Sequence, residues 1–385
     1  MAAQRSLKVF RGRAGFFELE QEWKTVTNSI PGKRFFHLYE WHRSYVEALE
    51  KDDDSLRFFV AYHGGGEIEA IFPLKKTRQR RFGIIATVLE APHHPHLLLK
   101  DILICGDMSH SGLLTDLVEF LTAQPEYKCD VIRVEGALED SGILELMAGQ
   151  PHVLNVWEEM GYCDYLPVMP KESYREGLSR NFRAQLRKAR NKALKHGGTR
   201  CLSTRDPIEL DRFFRHFLDI EGSGWKRSQG TAIILDPSLR AFYECLVRYF
   251  SVLGACEINL LELDSAIIAA QFSLVVGKTM YILKIGYDDS WSSVSPGNLL
   301  LENVLERCKK NGTVQYVNLV TDAAWHRSWQ PKQHRVFYCQ RFNATVPGLL
   351  AFVLFYAKRA VRALRSGLGR HSKRTRAEKP SSPLP

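Results

Sequence analysis

The chain has 385 residues, 45% hydrophobic, 25% charged and 11% aromatic, which is too long for one ordinary core and fits two globular domains with additional segments. Its opening residues hold no apolar run of the secretory kind, and no stretch approaches the roughly twenty apolar residues that span a bilayer. The net charge of +10 is uneven: residues 179–196 carry +7, the residues after Val346 carry +8, and the remainder is −5. The total therefore says little about nucleic acid, no DNA partner is expected, and two segments alone ask for an anionic partner. The eight cysteines are scattered without a Cys-x-x-Cys pair, so they read as small buried hydrophobes of a reduced, cytoplasmic chain.

Residues 1–170 read as a first α/β domain. Helical spacing covers residues 16–27 and 38–49. Residues 56–62 and 68–75 flank the hairpin signal His63-Gly-Gly-Gly66, and residues 82–89 and 97–104 are further strand candidates. A helix at 113–121, a short strand at 131–134 and a helix at 141–147 follow. His93, His94 and His96 stand in a Pro-broken loop whose spacing does not aim three imidazoles at one point, so no metal is expected.

Residues 179–196 form a basic helix with two faces. Arg180, Arg183, Arg187 and Arg190 fall on one, and Phe182, Leu186, Ala189 and Ala193 on the other, so one side can pack while the other meets phosphates or carboxylates. Helices at 207–221 and 239–252 follow, separated by a loop carrying Trp225 and Lys226. Three strands at 255–263, 266–276 and 279–285, joined by short turns, read as an antiparallel meander.

The third of these strands opens the most informative stretch, Lys278 to Asp322. A strand leads through Ser295-Pro296-Gly297-Asn298 into a helix with apolar residues at Leu299, Leu300, Val304 and Leu305. Pro296 suits the first turn, Gly312 marks the stop, and a strand at 314–320 follows. Such a βαβ unit predicts parallel strands. It also predicts unpaired amides from Ser295 to Leu299, Pro296 excepted, at the positive end of the helix, where a phosphate can bind. A closing strand is expected at 336–342.

Helix pair, antiparallel meander and strand–turn–helix–strand is the order of GNAT-type N-acyltransferases. Residues 171–345 resemble the CelD/BcsL-type acetyltransferase domain of that superfamily. The resemblance lies in SRNFRAQLRKARNKALKHGG, the Trp225-Lys226 loop, AAQFSLVVGKTMYILKIGYDD, SPGNLLLENVLERCKKNG and VQYVNLVTDAAWHRSW. Residues 15–165 resemble the degenerate first GNAT-like half that members of this group carry. The implied fold class is α/β (α+β): two tandem GNAT-like domains, each a mixed, largely antiparallel sheet flanked by helices.

The resemblance implies acetyl-CoA as acyl donor and no metal. Leu283, Lys284 and Ile285 would pair with the pantetheine arm, and Ser295, Pro296, Gly297, Asn298 and Leu299 would hold the pyrophosphate. Asp288 and Asp322 are candidates for the base, and Tyr287 and His326 for the acid. Arg183, Arg187, Arg190, Trp225 and Lys226 are candidates for acceptor or anion binding. One feature departs from the wider superfamily, though it is usual in this branch, and one departs from the branch itself. Ser295-Pro296-Gly297-Asn298 replaces the usual Arg/Gln-x-x-Gly-x-Gly/Ala loop, and Trp325-His326 stands where Tyr-Lys precedes the Trp, here Trp329. The acceptor would be a small molecule or a glycan precursor of the envelope. A Fem-type transferase using aminoacyl-tRNA and a non-catalytic scaffold of polysaccharide assembly are the alternatives.

Residues 346–366 form an apolar-to-basic segment suited either to docking on the protein or to lying at an anionic membrane surface, and residues 367–385 are a basic tail expected to be disordered.

Overall fold

The computed structural model describes residues 5–81, 84–106, 110–150, 152–168, 174–223 and 230–377. The same order of elements occurs twice. The first pass is β1 (Ser6–Arg11), helices α1 (Gly12–Glu18), α2 (Glu20–Ser29) and α3 (Tyr39–Ala48), a meander of β2 (Leu56–Tyr62), β3 (Ile68–Arg81) and β4 (Ile84–Glu90), then short β5 (Leu103–Ile104), α4 (Leu113–Ala123), β6 (Val131–Leu138), α5 (Gly142–Gly149) and β7 (Asn155–Pro167). A single turn, α6 (Tyr174–Gly177), and the basic helix α7 (Arg180–Leu194) lead into the second pass. It runs through β8 (Thr199–Thr204), α8 (Pro207–Glu221), α9 (Pro237–Val252), the meander β9 (Cys256–Leu263), β10 (Ala266–Val276) and β11 (Thr279–Tyr287), then α10 (Pro296–Asn311), β12 (Tyr316–Asn318) and β13 (Lys332–Phe342). A last helix, α11, spans Val346–Ala377.

The described strands join in one sheet of order β1-β2-β3-β4-β6-β13-β7-β12-β11-β10-β9-β8, with β5 beside β3. Among the described strands only β4–β6 and β11–β12 pair in parallel, one pair in each pass. The expected mixed, largely antiparallel sheet flanked by helices is present, and it runs continuously through both passes. The expected turn between β9 and β10 is also there: Asp264 and Ser265 both have positive φ, 50° and 61°, as a two-residue hairpin with right-handed twist requires.

The two passes exchange their last strands. β7 leaves the first pass to pair with β12, and β13 leaves the second to pair with β6, the two meeting antiparallel from Lys332↔Tyr165 to Arg341↔Asn155. Residues before position 168 thus contribute to the wall of the second pass. Strands β1, β7 and β8 lie outside the strands expected from sequence.

The passes also differ where their parallel strands part. In the first, residues 97–102, expected as part of a strand, instead run across the opening beside β6. The Lys100 amide donates to the Gly136 carbonyl at 3.1 Å. A Cβ on Gly136, whose φ is +89°, would come within 2.1 Å of the Leu98 carbonyl, so only glycine lets the segment lie this close. A void of about 20 Å³ remains, lined by Phe36, Trp41, Leu97 and Leu99 among others.

The first pass buries His42 under the Trp23 ring, with Nε2 donating to the Phe36 carbonyl at 2.9 Å. Burial pushes its pKa down to about 4. The folded value lies below the unfolded one, so this group's contribution is intact above pH 6.5 and is lost as pH falls toward 4, by about 3 kcal/mol. Urea unfolding between pH 7 and pH 4 should show this loss, and His42→Gln, which keeps a donor, should flatten it. An equal slope in the variant would assign the loss elsewhere.

Candidate active site between the splayed strands

β11 and β12 pair at three positions only, Thr279↔Tyr316 to Tyr281↔Asn318, and then diverge. Two local features cause this. In β11 the register jumps from Phe272↔Lys284 to Ser273↔Ile282, so Leu283 is an extra residue without a cross-strand partner, a bulge that bends the strand. β12 ends in a γ-turn: Val320 has φ +63° and the Thr321 amide donates to the Leu319 carbonyl at 2.7 Å. That conformation is strained for a β-branched residue and needs outside support. Asp164 of β7 supplies it, its amide donating to Thr321 at 3.0 Å and its carbonyl accepting from Leu319 at 2.8 Å.

The strands part into a cleft of about 560 Å³, whose walls include Leu283, Lys284 and Ile285, the turn Ser295 to Asn298, and Val320, Trp325 and His326. Leu98 of the first pass stands at its edge. Tyr287 also lines it and is partly exposed.

The start of α10 differs from expectation in one respect. Ser295 is left-handed, φ 51°, and its side chain caps nothing. Its amide donates to the Ser292 carbonyl at 3.0 Å, and the amides of Asn298 and Leu299 both donate to the Ser295 carbonyl at 3.1 Å. Because the tight entry satisfies these groups, Gly297 is the one member of the expected set whose amide is left without an acceptor among the described residues. Leu299 is fully buried in the core beneath the helix and does not line the cleft. A Cβ built on Gly297 would meet nothing nearer than Tyr287 Cδ1, at 3.8 Å.

His326 lies in the 3-10 turn Ala324–Trp329, which is fastened to α10 by Trp329 Nε1 donating to Asn298 Oδ1 at 3.1 Å. The imidazole is buried, with Nδ1 2.8 Å from Asp164 Oδ2, while the other Asp164 oxygen accepts from Gln333 Nε2 at 2.8 Å. Burial lowers the His326 pKa below its ordinary value, and Asp164 opposes the shift. The ring is therefore neutral near pH 7 and can take up a proton, with a carboxylate behind it to stabilise the cation formed. This favours a base over the acid role expected for it.

Residues 180–328 match the acetyltransferase (GNAT) domain family. The fold is that of a GNAT acetyltransferase. Among solved structures, the chain is similar to that of FemX, at 11% identity over 83% of this chain and 95% of that one, TM-score 0.53. A conserved protein of unknown function from Bacteroides thetaiotaomicron matches at 13% identity over 84% and 97%, TM-score 0.51. The C-terminal domain of a protein described as a lysylphosphatidylglycerol synthetase from Agrobacterium fabrum matches at 11% over 88% and 95%, TM-score 0.50. No curated protein sequence matches the chain.

Within this GNAT fold the remaining expected residues stand away from the cleft wall. Asp288 caps the following 3-10 helix, its Oδ1 accepting from the Ser290 amide at 2.9 Å. Asp322 is exposed, near Gly161 of β7. On α7, Arg190 pairs with buried Glu302 of α10 at 2.9 Å, Arg183 donates to the Arg175 carbonyl at 3.2 Å, and Arg187 is exposed. Burial raises the Glu302 pKa against the pull of Arg190 and Arg175. The apolar face of α7 packs as expected, with Phe182, Leu186, Ala189 and Ala193 buried. Trp225 and Lys226 lie outside the described residues. Among the described residues no group of three His, Cys, Asp or Glu is placed to hold a metal, and His96 bonds to Tyr243 at 3.0 Å instead.

Two groups, one behind His326 and one on the cleft wall, were missed by sequence reasoning. Asp164 reaches the site only through the strand exchange. Glu221, buried at the end of α8, lines the cleft and accepts the Ile233 amide at 2.8 Å. Its backbone is so close to β11 that a Cβ on Gly286 would lie 2.8 Å from Glu221 Cα. Gly286→Ala must push α8 off the sheet, so it should cost about 1–3 kcal/mol in urea unfolding. An unchanged midpoint would mean that this wall yields freely.

Proposed function

We propose that the chain transfers an acyl group, acetyl as the first choice, from acyl-CoA to an amine. The observation that carries this reading is the cleft between β11 and β12, bordered by the Leu283 bulge and the first turn of α10. The pantetheine arm would lie along Leu283, Lys284 and Ile285 as an added strand. The pyrophosphate would lie at the turn from Ser295 to Leu299, meeting the Gly297 amide and the helix dipole.

The acceptor amine attacks the thioester carbonyl, the C–N bond forms, and the C–S bond breaks from the tetrahedral intermediate. His326 takes the proton the amine loses, and Asp164 holds the ring and stabilises the imidazolium. Tyr287, at the cleft wall, donates a proton to the departing thiolate.

The acceptor is a small molecule or an envelope glycan precursor, in keeping with the CelD/BcsL-type resemblance. The location is cytoplasmic, with peripheral membrane contact through residues 347–376. The exposed Arg187 favours one second reading, a Fem-type transfer from aminoacyl-tRNA, because an arginine on a folded helix suits RNA phosphate. Calorimetric titration with CoA and with acetyl-CoA separates the two. Saturable binding of both is expected, and silence with both would overturn acyl-CoA as the donor.

A further inference from the structure

The apolar start of α11 was expected to serve either the body or a membrane. The helix has two apolar faces. One is docked: Ala351, Phe352 and Phe355 pack on Val88, Val131 and Phe342, with the Phe352 and Phe355 rings 5.5 and 5.9 Å from Phe342. Thr345 fixes its start, its Oγ1 donating to Asp130 Oδ1 and accepting from the Gly348 amide at 3.0 Å. Arg359 pairs with Glu158 of β7 at 3.1 Å. The other face is exposed: Val346 by 74%, Leu350 by 44%, Val353 by 61% and Val361 by 47%. Spacings of four, three and eight place these on one stripe about 22 Å long.

We infer that this outer stripe of α11 lies in the surface of an anionic lipid bilayer while the inner face stays on the protein. Charge selects the occupant. From Val346 to Ala377 the sequence holds eight lysines and arginines and no acid. A second copy of this helix would bring like charges together, and a nucleic acid would leave the apolar stripe in water. An anionic bilayer takes both, apolar side chains at the acyl boundary and cations at the headgroups. No described helix is long and apolar enough to cross a membrane, so the contact is one of lying on the surface. This deepens the membrane contact proposed above and needs no acyl transfer.

The test is flotation of the full chain with phosphatidylcholine vesicles, alone and mixed with phosphatidylglycerol. The double variant Leu350→Ser/Val353→Ser changes only the outer stripe, and its melting temperature and CoA titration serve as controls. Association with the mixed vesicles alone, weakened by salt and at least about tenfold by the double variant, is expected. Three results would overturn the inference: no association at low salt, equal association of the double variant, or a solution dimer that the double variant dissolves. Loss of CoA binding in the unaltered chain would fail the acyl-CoA reading and leave the lipid result standing.

Discussion

His326→Ala should lower kcat/KM for amine-dependent thiol release from acetyl-CoA by about 10²–10⁴-fold, the range ascribed to a positioned general base. CoA affinity should change little. The pH profile carries more information than the loss itself. The base must be neutral to act, and burial holds His326 below its ordinary pKa, so activity should fall only as pH drops through a value under about 6.5. Asp164→Asn removes the largest of the influences that oppose that shift, the Thr321 carbonyl and Asp322 being the others, so the acid limb should move to still lower pH while the plateau falls. A limb above 6.5, or one indifferent to Asp164, would remove His326 from the base role. A merely structural Asp164 would lower the plateau without moving the limb.

Gly297→Val should weaken CoA binding at least about tenfold, which is 1.4 kcal/mol, and leave the melting temperature nearly unchanged. The asymmetry follows from the local space. A Cβ at this position meets only Tyr287, at 3.8 Å, so the fold has room for it. The remaining methyls would stand in the cleft over the Gly297 amide, which has no acceptor among the described residues. Calorimetry and a thermal scan on the same sample read both quantities. Unfolding would make Gly297 structural, and unchanged affinity would move the pyrophosphate elsewhere.

The unit β11–α10–β12 was legible because its signals are local. Apolar residues at helical spacing, Pro296 at the first turn and Gly312 at the stop describe one helix between two strands, and such a crossover makes the strands parallel. The two faces of α7 were legible for the same reason. What escaped depends on partners distant in sequence. The apolar run at Leu97 and Leu99 reads as a strand, yet it closes the first opening, and nothing local separates those outcomes. Asp164 sits in an unremarked stretch of β7, and it becomes a site residue only because β7 pairs across the pseudo-repeat with β12. Periodicity tells which side chains are buried and leaves open against what. The paired amides of Ser295, Asn298 and Leu299 were a finer miss, since the left-handed Ser295 sets the tight entry and no residue type demanded it.

On the proposed reading the donor lies between β11 and β12 and nowhere in the first pass. Amide hydrogen exchange with and without CoA tests it directly. Protection is expected from Ile282 to Tyr287 and through the first turn of α10 at Gly297, with no change across β4 and residues 91–104, where the chain fills its own opening. Protection confined to β4 and residues 91–104, or none at Ile282 to Tyr287 at saturating CoA, would contradict it.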